Sequence, residues 1–166
     1  MVENIAIYGD SAGGGLGAAV VLKMRDQGVG LPAALAVLSP WLDLTQDPDT
    51  VTSLQNQETS YTQKHQIAAA AAYADPKDHK DPYASAVYGD FSKGYCPTII
   101  QVGLKEILLS GCVRFYQKLD EAKIPVKLDP YEAMPHNFSD RVPHAPESIT
   151  ARKKMRDFLH QHLGMK

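Results

Sequence analysis

The chain has 166 residues, an apolar fraction of 44% and a formal net charge of −2, which fits one globular domain with a sizeable core. Its Lys and Arg residues are scattered rather than clustered, so phosphate-driven nucleic-acid binding is not expected. The longest apolar stretch, Ile67 to Tyr73, is too short for a membrane span. No secretory signal is visible. Cys96 and Cys112 have neither CxxC spacing nor the density of a disulfide scaffold. A cytoplasmic setting with both thiols acting as small apolar residues is the expectation.

In chain order, "NIAIY" is a short apolar run suited to a buried parallel strand. A glycine-rich turn follows, then a helix from about Ala12 to Gln27, stopped by Gly28 with Gly30 and Pro32 beyond. "AALAVLSP" reads as a second buried strand closed by Pro40. Residues 43–97 are polar and rich in Asp, Pro and Gln, with one helix expected around Gln63–Ala74; they form a connecting or cap-like excursion too long for a plain loop. "TIIQVG" is a third strand, followed by a helix near Ser110–Ala122 with Val113, Tyr116 and Leu119 at helical spacing. "PVKLDPYE" is a fourth strand, and residues 147–162 form a final amphipathic helix. Strands alternating with helices predict an α/β fold with about four parallel strands, spanning residues 1–166 as one domain.

Two chemistries compete for the glycine-rich turn. Gly13, Gly15 and Ala18 fit G-x-G-x-x-G/A, the dinucleotide pattern in which a helix N-terminus faces a pyrophosphate. In that design the first glycine turns the chain directly after the strand, whereas Gly13 and Gly15 fall late. Asp26 and Asp43 are the available ribose ligands. The other pattern is G-x-S-x-G, here Gly9-Asp10-Ser11-Ala12-Gly13. A serine on a sharp strand-to-helix turn is held in strained backbone geometry, with small residues two positions either side letting strand and helix pass closely. The hydroxyl is then presented above the sheet, and the Ala12 N–H is free to donate to a developing oxyanion.

A serine hydroxyl needs a base, itself oriented by an acid. In this fold class the chain order is Ser, Asp or Glu, His. After "TIIQVG" comes Glu106, and after "VKLDPYE" comes His136, so both places are filled in order. His65, His79, His144, His160 and His162 lie in the excursion, a Pro-flanked loop or the last helix, without metal-ligand spacing; no metal site is expected.

"GDSAGGGL", "LSPWLDLT", "DPYASAVYGDF", "PTIIQVGLKEILLS" and "MPHNF" together resemble the hormone-sensitive-lipase-like branch of the α/β-hydrolases, bacterial-type carboxylesterases and lipases. The resemblance runs over essentially the whole chain. It implies Ser11 as nucleophile, His136 as general base and acid, Glu106 as the orienting acid, and hydrolysis of small carboxylic esters, usually with short acyl chains, through an acyl-enzyme without a cofactor. The chain departs from the pattern in three ways. Glu106 stands where the family usually has Asp. Gly111, Cys112 and Lys123 replace more usual residues. No HGGG oxyanion motif occurs, and only ten residues precede Ser11, so the chain resembles the C-terminal half of the fold. Two expectations follow. Activity is impaired by loss of an oxyanion donor. The strand around Ile5–Tyr8 becomes an apolar sheet edge that invites pairing with a second copy, giving a homo-oligomer. The alternative function is a catalytically silent hydrolase-fold fragment that self-associates, with a dinucleotide-binding domain third.

Overall fold

The computed structural model describes residues 2–165. Four strands, β1 (Ala6–Asp10), β2 (Ala34–Leu38), β3 (Thr98–Gly103) and β4 (Val126–Tyr131), form a parallel sheet in the order β1-β2-β3-β4. Ala6 pairs with Ala34, Leu35 with Thr98, and Thr98 with Val126. β2 and β3 are fully buried, as inner strands covered on both faces; β2 is a continuous apolar run, while β3 includes the buried polar residues Thr98 and Gln101. β4 carries Pro130, tolerated because β4 has a neighbour on one side only. β1 is the opposite edge.

Helices cover both faces. α1 (Ser11–Asp26) and α4 (Leu109–Glu121) pack on one face, where Ala18, Leu22, Val37, Ile100, Phe115 and Leu119 share a core. α6 (Pro146–His162) covers the other face, where Ala36, Leu38, Ile99, Phe138, Ala151 and Met155 meet. Cys96 and Cys112 are buried, unpaired parts of the first core. Burial pushes the Cys96 thiol up to about 12 and raises that of Cys112 as well.

Between β2 and β3 the chain forms the short helix α2 (Thr50–Ser53), α3 (Gln63–Tyr73) and two single 3₁₀ turns. The buried Asp43 carboxylate anchors the start of this excursion by accepting from Arg114, the Tyr88 hydroxyl and the Thr45 hydroxyl. Thr62 caps α3 in a reciprocal capping box with His65, which explains why a histidine stands there.

Several boundaries differ from those read in the sequence. The first strand begins later, at Ala6, because residues 2–4 form a 3₁₀ turn, and it runs on through Gly9 and Asp10. Pairing of Asp10 with Leu38 holds the chain extended right up to Ser11, where the helix starts one residue earlier than expected. The short helices α2 and α5 (Phe138–Arg141) have no periodic signal to announce them, since a single turn shows no period.

Candidate active site

The site stands at the C-terminal ends of the strands. Ser11 follows β1 directly with φ 49°, a left-handed backbone that a non-glycine residue adopts only under local constraint. The constraint is visible on both sides. Ser11 accepts a backbone hydrogen bond from Trp41 N at 2.8 Å, and a Cβ on Gly9 would lie 2.4 Å from the Gly13 carbonyl oxygen. Close passage of strand and helix therefore depends on Gly9. The expectation that Gly13 serves the same packing is corrected: a Cβ there would meet nothing within 4 Å. Gly15 is the second tight point, packed on the Trp41 carbonyl.

The sequence-selected residues from three distant segments come together here. His136 Nε2 lies 2.9 Å from Ser11 Oγ, and His136 Nδ1 lies 2.7 Å from Glu106 Oε2. Glu106 is fully buried, and the His136 side chain is 5% exposed. Burial raises the Glu106 carboxyl above the ordinary carboxylate range, opposed by its bonds to His136, Ser39 Oγ and the Gly103 N–H. Ala12 lies in the first turn of α1, where backbone N–H groups have no intrahelical acceptor.

Three residues beyond that set, Ser39, Asn137 and Tyr61, complete the surroundings. Ser39, fully buried at the end of β2 with φ 47°, donates to Glu106 Oε1 at 2.9 Å and accepts from Asn137 N at 3.1 Å. Asn137 Nδ2 donates to Asp10 Oδ2 at 2.8 Å, tying the loop of His136 to the residue before Ser11. Asp10 is the N-cap residue of α1, and its side chain makes no cap bond, accepting from Asn137 instead. Tyr61, just ahead of α3, stands edge-to-face with His136 at 5.0 Å between ring centroids. Its phenol is pushed far above its ordinary value by burial, with Glu58 and Glu106 adding to the effect. The "LSP" and "HNF" strings hold Ser39 and Asn137 in plain sight, but their partners lie 67 and 127 residues away in sequence, beyond any periodicity.

The dinucleotide alternative is corrected by the same geometry. Gly13, Gly15 and Ala18 lie inside α1, which begins at Ser11, instead of forming a loop ahead of a helix. Asp26 is engaged by Arg25 and Tyr83, and Asp43 by Arg114 and Tyr88. Among the described residues no group of three His, Cys, Asp or Glu side chains is arranged to hold a metal ion, and no helix is long and apolar enough to cross a membrane. Beside Ala12 opens an apolar cavity of about 340 Å³, walled by Gly13, Gly15, Trp41, Ala69 and Tyr73 among others.

Comparison with known proteins decides the family. The sequence profile of the α/β-hydrolase fold matches residues 1–140. The chain belongs to the α/β-hydrolase fold family. An esterase of Acinetobacter venetianus is 32% identical over 165 residues, covering 94% of this chain and 52% of its own length. An acetyl-hydrolase of Streptomyces hygroscopicus is 32% identical over 161 residues, covering 97% of this chain and 54% of that protein. Among solved structures, an esterase of the bacterial hormone-sensitive lipase family superposes with TM-score 0.91 at 33% identity, over 96% of this chain and 54% of that one. The esterase EstE5 superposes with TM-score 0.93 at 30% identity, over 99% of this chain and 55% of that one. This α/β-hydrolase chain thus spans about half the length of the curated relatives it matches. The resemblance read from the sequence motifs is upheld.

Proposed function

We propose that the chain carries the reacting side chains of a carboxylic ester hydrolase, with Ser11 as nucleophile, His136 as general base and acid, and Glu106 as the orienting acid. The observation that carries this reading is the continuous hydrogen-bonded line from Ser11 Oγ through the two imidazole nitrogens to Glu106, at 2.9 and 2.7 Å, on a strained strand-to-helix turn. His136 takes the Ser11 proton while Oγ bonds to the ester carbonyl carbon and the carbonyl π pair moves onto oxygen. Glu106 stabilises the imidazolium. The alkoxide leaves with the proton from His136, and water, deprotonated by His136, then releases the acid from the acyl-enzyme.

The Ala12 N–H is the donor available to the oxyanion. Loss of a single donor of this kind lowers the rate by about 10²–10³. Small acyl groups fit best: the cavity next to Ala12 is apolar and about 340 Å³, one relative is named an acetyl-hydrolase, and EstE5 crystals were soaked with p-nitrophenyl butyrate. A reducing, cytoplasmic setting belongs to the same reading, supported by two buried unpaired thiols. The test is hydrolysis of p-nitrophenyl acetate or butyrate by the purified chain and by Ser11→Ala. Activity lost in the variant supports the proposal; equal activity in both contradicts it.

A second reading, favoured by the sheet edge, is self-association. β1 pairs on one side only, and Ile5, Tyr8 and Leu16 are each more than half exposed around it. An apolar unpaired edge is a template for strand addition, so we infer a homo-oligomer with Ile5–Tyr8 at or near its interface.

A further inference from the structure

Three segments meet at one buried hydroxyl. Ser39 Oγ donates to Glu106 Oε1 and accepts from the backbone N–H of Asn137, the residue next to His136. Glu106 Oε1 has one other partner, the Gly103 N–H at 2.9 Å. Ser39 is fully buried and held at φ 47°. A left-handed residue at the end of a strand is ordinarily glycine, so a serine here bears a backbone penalty that glycine would avoid. Both hydrogen bonds of its side chain run to the loops that carry the acid and the base.

We propose that Ser39 is a positioning residue for the Ser11 reaction, its single hydroxyl holding the Glu106 carboxylate and the His136 loop in register. The proposal rests on the hydrolase reading above. Ser39 touches neither Ser11 nor the reacting ester and acts through Glu106 and Asn137. The groups facing Glu106 fix the sign of its effect. His136 stands on one side; Tyr61 and Glu58 approach from the segment ahead of α3, Glu58 accepting from Ile107 N; and the Cys112 thiol faces it from α4. Asp10 reaches the pair only through Asn137. Among these, Ser39 is a neutral donor that favours the ionised carboxylate. Its removal raises the Glu106 carboxyl further, so the pair is disarmed at a higher pH. It also leaves Asn137 N without its acceptor, loosening the imidazole.

The experiment compares Ser39→Gly and Ser39→Ala with the parent chain. Glycine keeps the left-handed turn without strain, so Ser39→Gly isolates the hydroxyl. Each folded protein is labelled with a fluorophosphonate across pH, and the rate of mass addition at Ser11 is followed. In parallel, the ¹³C resonance of the Glu106 carboxyl, assigned by its disappearance in Glu106→Gln, is titrated. Ser39→Gly is expected to label at least tenfold more slowly, with the acidic fall-off and the Glu106 midpoint both moved upward by about one pH unit, the size of one hydrogen bond to a charged group. Parent-like labelling with an unmoved acidic limb in Ser39→Gly overturns the proposal. If the parent chain itself is not labelled, the hydrolase reading fails, and the carboxyl titration alone then decides: an unmoved Glu106 midpoint in Ser39→Gly overturns the role given to Ser39.

Discussion

Single atoms decide the geometry around Ser11. The G-x-S-x-G pattern treats its two glycines alike, but the structure separates them. A methyl on Gly9 would collide with backbone that cannot swing away, whereas a methyl on Gly13 points into open space within a helix. Gly9→Ala is therefore expected to destabilise by roughly 3 kcal/mol or more. Gly13→Ala is expected to be neutral or stabilising by up to about 1 kcal/mol, through helix propensity. Urea unfolding of the two variants checks the contrast. Glu106 provides the pH test. Its folded carboxyl is raised above the ordinary value by burial, so this group favours the folded state below the ordinary carboxylate range and loses that contribution as pH rises. Glu106→Gln, which removes the buried charge, should gain in stability relative to the parent chain between pH 4.5 and pH 8, while losing labelling at Ser11. A stability difference that is flat or shrinks with rising pH would contradict the assignment of burial as the dominant cause.

At the scale of elements, the inner strands and long helices were legible because burial writes itself as apolar runs and helical spacing. "TIIQVG" corresponds residue for residue to β3, and the two long helices after it begin within one residue of their expected starts. The buried face of α4 is Cys112, Phe115 and Leu119 instead of the Val113, Tyr116 and Leu119 spacing read in the sequence; Phe115 lies fully inside the core, and Phe115→Ala should cost about 3–5 kcal/mol in chemical denaturation. The chain order of Ser11, Glu106 and His136 was legible too, because each residue follows a strand that the pattern reveals. Ser39, Asn137 and Tyr61 were not, since their meaning lies in contacts between loops with no period of their own. Tyr8 is exposed on β1, and a charge there blunts strand addition. Tyr8→Lys should shift the sedimentation profile at micromolar concentration toward monomer; a parent chain that is already a clean monomer would contradict the inferred association.

At the scale of the molecule, a three-layer frame brings together side chains from the first, third and fourth strand ends. Ser11 and His136 are 125 residues apart in sequence and 2.9 Å apart in space. Sheet order achieves this: every strand is parallel, so every strand's C-terminal end opens on the same rim. The proposed activation of Ser11 by this arrangement is separate from whether the chain completes a full cycle of ester hydrolysis. A fluorophosphonate reports the activation alone, since it requires an activated serine and not turnover. Intact-mass and peptide analysis should show one adduct, located on Ser11, and none on Ser11→Ala or His136→Gln. A folded parent chain that acquires no adduct, or acquires it equally in Ser11→Ala, would contradict the account.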